Sequence, residues 1–221
     1  MPRGSISLQI ENLDKLLGDI NSIQNAGKDV VKYTLKDVKA RAPGWISEEV
    51  RKVYNIQKSD IQPTNQKNAD GTKKKMAGTI SAHGDTIENF TITYKGRLLT
   101  PVHFGMTPKA PPHGRGYTLK MQVLKGKKEV IGRYKSKRKP NGPYSKRSHN
   151  ILMGTGNTQG EGTNYIPFQR MSTRRLDLKK FTTISVPQMI TSERTHDAIM
   201  DRLHVETSKH LEKHFNRFLG K

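Results

Sequence analysis

Apolar and polar residues first alternate along Ser5 to Ile10, where Ile6, Leu8 and Ile10 share one side. A period of two predicts a short strand. The period then lengthens. Leu13, Leu16, Leu17, Ile20 and Ile23 recur at helical spacing behind Asn12, a capping residue, with Asp14 in the first turn to meet the positive end of the helix dipole. A second apolar line runs through Val31, Leu35, Val38 and Ala42. Gly27 is expected to kink or split the two pieces, and Pro43-Gly44 to end them. Ser47 predicts the N-cap of a third, short helix, with Glu48 and Glu49 in its first turn. Trp45, Ile46, Val50 and Val53 form its buried side, and Trp45 reads as a core anchor.

From Ile61 to Lys75 the chain is polar, with a turn signal at Asp70-Gly71. Strand-like segments follow at Ala77 to Ala82, Glu88 to Tyr94, Leu98 to Phe104 and Tyr117 to Leu124; Phe90, Ile92 and Tyr94 alternate with Thr91 and Thr93. Pro108 to Gly116 reads as a loop. Gly126 and its lysine neighbours predict a hairpin leading to Val130-Ile131. Arg133 to Ser148 holds almost nothing apolar beyond Tyr134 and Tyr144 and is expected to form an extended basic loop. Asn150 to Met153 is expected to re-enter the sheet, and Gly154 to Gly162 to form another irregular stretch. Phe181 to Val186 reads as a final strand.

The C-terminal pattern is the clearest. Thr191 or Ser192 caps, Glu193 sits in the first turn, and Ile199, Leu203, Leu211, Phe215 and Leu219 recur at multiples of four, with Phe218 widening the stripe. Gly220 stands where a glycine after a helix is common. The pattern predicts one α+β domain over residues 1–221: N-terminal helices and a C-terminal amphipathic helix over about 191–219, packed on a mainly antiparallel sheet, with long basic loops. Trp45, Ile199, Leu203, Leu211, Phe215 and Phe218 are the expected packing residues, against the fold itself or a neighbouring subunit.

Charge changes this picture most. Forty Lys and Arg face 19 Asp and Glu, for a net charge of +21 and a pI near 10.2. Well-behaved small domains carry about 2–8 net charges, so this excess points to a polyanionic or acidic partner. The cations come in blocks: Lys73, Lys74 and Lys75; Lys125, Lys127 and Lys128; Arg133, Lys135, Lys137, Arg138, Lys139, Lys146 and Arg147; and Arg170, Arg174, Arg175, Lys179 and Lys180. Tyr117, Tyr134 and Tyr144 are interleaved and offer stacking surfaces for bases. No zinc finger or RNA-binding signature accompanies them, so phosphate contact without sequence readout is expected. A set of merely solvated loops would give the same pattern.

Catalytic chemistry finds little purchase. With no cysteine, disulfides, thiolate metal sites and cysteine nucleophiles are excluded. There is no Gly-x-Ser-x-Gly elbow and no phosphate-binding glycine loop. Asp177-Leu178-Lys179 and His149-Asn150 are fragments of nuclease patterns without their other halves. His210 and His214 lie one helical turn apart, but the zincin glutamate is missing and no third ligand is evident, so they read, with His196 and His204, as solvated helix-face histidines. No metal, cofactor or catalytic residue is expected. The N-terminus lacks the apolar run of a signal peptide, and no stretch approaches a membrane span.

The segment Arg41-Ala42-Pro43-Gly44-Trp45-Ile46-Ser47-Glu48-Glu49-Val50-Arg51-Lys52-Val53-Tyr54-Asn55-Ile56 resembles the early region of the phage minor tail protein Z (tail completion) family. So does Ile184-Ser185-Val186-Pro187-Gln188-Met189-Ile190, placed just before the terminal amphipathic helix. The middle strands and the region from Asn150 to Arg170 also fit that layout. The resemblance spans most of the chain and rests on packing and turn motifs. It implies a non-enzymatic protein of a tailed bacteriophage, joining tail to head connector around the DNA channel as a ring of copies, a hexamer. The implied partners are the connector, the tail tube or terminator proteins and packaged DNA, with no membrane. The implied location is the head-tail interface of the virion, after assembly in the host cytoplasm. The alternative from the residues alone is a nucleic-acid-binding protein without sequence preference or, further off, a metal-dependent nuclease using Asp177.

Overall fold

The computed structural model describes residues 3–7, 26–61, 78–84, 86, 89–113, 116–134, 151–155, 165–171 and 177–219. Helices and antiparallel sheets make up an α+β fold, as the hydrophobic pattern predicts. The chain divides into two compact units. One comprises Met1–Arg51, Lys58–Arg97 and Ser185–Lys221, and the other Lys52–Gln57 and Leu98–Ile184.

In the first unit, β1 (Arg3–Ser7), β2 (Gly78–His83) and β3 (Thr91–Gly96) form a sheet in the order β1-β3-β2. Ile92 sits opposite Ile6 on one side and Ala82 on the other. Phe90, Ile92 and Tyr94 are buried while Thr91 and Thr93 are half-buried, the phase that their alternation predicts. The hydroxyls of Ser81 and Thr93, cross-strand partners, meet at 3.0 Å. The helix expected over Leu13 to Ile23 lies outside the described residues.

Helix α1 (Ala26–Val53) corrects two sequence expectations. Gly27 sits in its first turn, and the piece that it was expected to separate from this helix lies outside the described residues. Pro43-Gly44 does not end it; the helix runs through both, and Ser47, expected as an N-cap, is buried in its interior. A proline inside a helix costs about 3 kcal/mol through one lost hydrogen bond and a clash. Each fully buried aliphatic side chain returns about 1.5–3 kcal/mol. Val38 and Ala42 before the proline and Ile46 and Val50 after it are all 0% exposed. Burial on both sides therefore outweighs the local penalty, and the expected short helix is the second half of one long one. A single turn, α2 (Lys58–Ile61), follows and buries Ile61 beside β2.

The segments expected as strands at Leu98 to Phe104 and Phe181 to Val186 are mostly not strands, and both belong to the second unit up to Ile184. They meet at one residue: Leu99 N–H donates to Ile184 O (3.3 Å), and Leu99 O accepts from Thr183 N (2.7 Å). Pairing stops there for a reason legible in the chain. Pro101, which has no N–H to donate, opens a 3-10 turn at Pro101–Phe104. On the other side Ser185 leaves the extended conformation to cap α3 (Val186–Ile190). Its hydroxyl accepts from Gln188 N (3.4 Å), and Gln188 Oε1 accepts from Ser185 N (2.9 Å), a reciprocal capping box. Ser185→Ala is expected to lower the unfolding free energy by about 0.5–2 kcal/mol, measured by urea titration. A cap without energetic weight would leave the midpoint unchanged.

The rest of the second unit is β4 (Tyr117–Met121), β5 (Glu129–Tyr134), β6 (Ile151–Gly154), β7 (Ile166–Arg170) and β8 (Leu178–Lys180). β4 and β5 form the expected hairpin, with a register shift after Leu119. β6, β7 and β8 form a separate three-stranded sheet, so Ile151 to Met153 enters a sheet of its own. β7 and β8 carry weak signals: Pro167 interrupts the first, and the second is Leu-Lys-Lys. Met106, Leu119, Ile151 and Met153 make the core, with Val102, Tyr117, Ile131, Tyr165 and Phe181 against it.

Back in the first unit, α4 (His196–Phe218) starts later than Thr191 or Ser192. Residues 192–195 form a turn closed by Thr195 N–H and His196 N–H on Ser192 O, and the Thr195 hydroxyl donates to Met189 O. Ile199, Leu203 and Leu211 are buried as expected, and Phe215 is half-buried. Leu219 is 46% exposed because residues spaced by four drift about 40° per step on a 3.6-residue helix. Phe218, expected in the packing stripe, stands in the last turn beyond Leu211 and is 49% exposed.

Candidate functional site

The positive surface can be followed at the β4–β5 hairpin. Lys125, Lys127 and Lys128 are exposed around Gly126, and Arg133 is exposed further along β5. The tip is held at its base. Lys125 N–H donates to Val53 O and Asn55 N–H to Val123 O, each at 2.9 Å, and Tyr54 bridges Leu124. Backbone hydrogen bonds thus fix three lysines at the end of a defined hairpin. One acid opposes them: Lys127 Nζ lies 3.3 Å from Glu129 Oε1, with the two side chains 68% and 46% exposed. Exposed pairs of this kind contribute about 0–1 kcal/mol, so the tip stays cationic.

Lys179 and Lys180 are exposed on β8. Lys73, Lys74, Lys75, Lys135, Lys137, Arg138, Lys139, Lys146, Arg147, Arg174 and Arg175 lie outside the described residues. Two of the three tyrosines make internal contacts. Tyr117 and Tyr134 are cross-strand partners stacked on each other, with centroids 5.0 Å apart and planes 21° apart. The Tyr117 hydroxyl accepts from Met153 N (3.1 Å), and burial pushes its pKa above the ordinary tyrosine value. Both rings are half-buried and used internally; Tyr144 lies outside the described residues.

The histidines differ most from expectation. His210 is 9% exposed, and neither it nor His214 is a solvated helix-face residue. Asp37 of α1 stands between them: its Oδ2 lies 3.1 Å from His210 Nδ1 and 3.1 Å from His214 Nε2. The acid that meets the two histidines thus comes from 173 residues upstream of His210. Burial disfavours the Asp37 carboxylate, but the hydrogen bonds and charge of the two imidazoles outweigh it, and its pKa is lowered below the ordinary value of 3.8. Tyr33 lies over His214 (6.0 Å, 28°) and Trp45 against His210 (5.7 Å, 37°). Trp45 is therefore a core residue with a second duty. Among the described residues this is the one group of three side chains placed to hold a metal ion.

Part of this was legible. Counting about 100° per residue from Ile199, His210 falls near 20° and His214 near 60°. Both lie inside the arc of the buried residues Ile199, Leu203 and Thr207. Helical phase thus sets both histidines on the buried side of α4. Asp177, the nuclease candidate, is exposed just before β8 and belongs to no such group among the described residues. His149-Asn150 lies outside the described residues. No helix among the described residues is long and apolar enough to cross a membrane. No protein-family model, curated protein or solved structure matches the chain.

Proposed function

We propose that this chain is a non-enzymatic assembly protein of a tailed bacteriophage, completing the tail and joining it to the head connector around the DNA channel as a ring of copies. The observation that carries the reading is the hairpin tip: three exposed lysines on a backbone-anchored turn, with one weakly paired acid. Such a tip grips a polyanion or an acidic neighbouring ring without needing to read sequence. The run Ser185 to Ile190 supports the same reading. It folds as a capped turn of helix ahead of a long amphipathic helix, in the order that the tail completion resemblance implies. In the virion the ring would stand at the head-tail interface, with the connector, tail tube and packaged DNA as neighbours.

The decisive experiment is mass spectrometry and single-particle imaging of the purified phage that carries the gene. The protein is expected in the neck of the particle in a fixed number of copies. Its absence from virions would end the proposal. A charge variant gives the second prediction. With Lys125, Lys127 and Lys128 all changed to Gln, the slope of log K against log salt for duplex DNA should flatten by up to about 3, since each lost phosphate contact removes about 0.9. An unchanged slope would remove the hairpin from the polyanion surface. The cellular nucleic-acid-binding alternative is distinguished by where the function resides: tight, salt-sensitive DNA binding by the isolated monomer, with no copy in virions, would favour it.

A further inference from the structure

We infer that Asp37, His210 and His214 form a binding site for a transition-metal ion of the zinc class, which ties α4 to α1. Three donor atoms, Asp37 Oδ2, His210 Nδ1 and His214 Nε2, lie within 4.8 Å of one another. Both nitrogens converge on a single carboxylate oxygen at 3.1 Å. In a tetrahedral site with bonds of about 2.0–2.2 Å, neighbouring ligand atoms stand about 3.3–3.5 Å apart. Admitting an ion therefore requires only a few tenths of an ångström of separation between the oxygen and each nitrogen.

The donor set decides the class of ion. Two imidazole nitrogens and one carboxylate oxygen suit zinc and its neighbours in the transition series. Magnesium and calcium prefer all-oxygen sites with more ligands. The rings are already oriented: both imidazoles are nearly buried and aimed at the Asp37 oxygen, with Trp45 packed against His210. Side chains that are fixed before binding lose little further freedom when the ion arrives. The same helix face also carries Thr207, one turn before His210, which is 1% exposed and whose hydroxyl makes no hydrogen bond among the described residues. A fourth coordination position remains for water.

The strongly positive chain does not preclude a cation here. Lys36, Lys209 and Lys213, the basic residues next in sequence to the three ligands, are all exposed, and Lys209 pairs with Glu206 at 3.4 Å. Charges held in water act weakly on an ion bound by direct coordination, since their field is divided by a dielectric near 80.

The test uses the full chain, stripped with chelator and titrated with zinc chloride by calorimetry. One saturable equivalent is expected, together with a thermal midpoint that rises until one equivalent is bound. Asp37→Asn, nearly isosteric, and His214→Gln should each weaken binding by at least about 100-fold, exceeding the 10–100-fold typical of losing an outer-shell partner. The paired change His196→Ala and His204→Ala, on the same helix but outside the group, should leave the affinity unchanged. Circular dichroism establishes that each variant is folded. If a ligand variant fails to fold, the visible absorption of cobalt(II) bound to wild-type protein reports the coordination directly. A tetrahedral spectrum supports the site, and the spectrum of hydrated cobalt overturns it. The inference also falls if wild-type protein binds no zinc saturably, or if binding survives in both ligand variants.

Discussion

Leu203→Ala is expected to lower the unfolding free energy by about 2–5 kcal/mol, while Phe218→Ala on the same helix stays within about 0.5 kcal/mol. Both residues belong to the stripe that the sequence presents as continuous. Leu203 is 0% exposed and Phe218 is 49% exposed. Removing the three outer carbons of Leu203 forfeits their transfer free energy and leaves a cavity that the surrounding core fills only in part. Ile199, also at 0%, sits one turn away and is held by the same packing. At Phe218 half of the ring already meets water, so truncation opens no cavity. Denaturant titration of the isolated protein checks both values. Equal losses at the two positions would mean that the last turn of α4 is as deeply packed as its middle. Should Phe218→Ala prove silent in the monomer yet depress incorporation into particles, the exposed ring would be a contact between subunits.

Gly84→Ala is expected to cost on the order of 3 kcal/mol, and Gly126→Ala only about 1 kcal/mol. Both glycines hold a positive φ, +100° and +80°, which L side chains rarely adopt. Strain alone gives each substitution about 1–2 kcal/mol. Space separates them. A Cβ at Gly84 would stand 2.3 Å from the Asn89 backbone oxygen and 2.6 Å from its carbonyl carbon, so main chain must move. That oxygen belongs to the turn joining β2 to β3, where Asn89 Oδ1 also accepts from Thr86 N (2.9 Å). Overpacking of this kind adds about 1–3 kcal/mol. At Gly126 nothing among the described residues lies within 4 Å, so only the conformational term remains. A difference of less than about 1 kcal/mol between the two variants would show that the β2–β3 turn relaxes freely.

What the sequence reveals follows the reach of each interaction. The phase of Phe90, Ile92 and Tyr94 is local, since each side chain needs only its alternate neighbour to declare a face, and the structure buries those three residues. The β4–β5 hairpin was legible for the same reason, through Gly126 and its flanking strands. Pro43 shows where local rules fail. Its preference to end a helix is a few kilocalories at most, and burial of residues on both sides, contributed by segments far along the chain, reverses it. The two single-residue contacts of Leu99 with Thr183 and Ile184 could not be anticipated at a separation of more than 80 residues, and the strands were overdrawn as a result. The histidine pair lies between these cases. Helical phase places His210 and His214 on the buried face, but no periodicity names Asp37 as the group they meet, because the pairing depends on how two helices pack.

The order of segments in the two units has a consequence for synthesis on the ribosome. Every residue of the second unit lies at or before Ile184, whereas the first unit needs Ser185 to Lys221 for α3 and α4. Translation proceeds at about 5–20 residues per second. The second unit is thus complete while the first still lacks α3 and α4, and with them the buried residues Ile199, Leu203 and Leu211. A nascent chain arrested shortly after Ile184 has emerged should hold β4 to β8 closed, with α1 still waiting, its apolar side bare and open to chaperones until the final helix arrives.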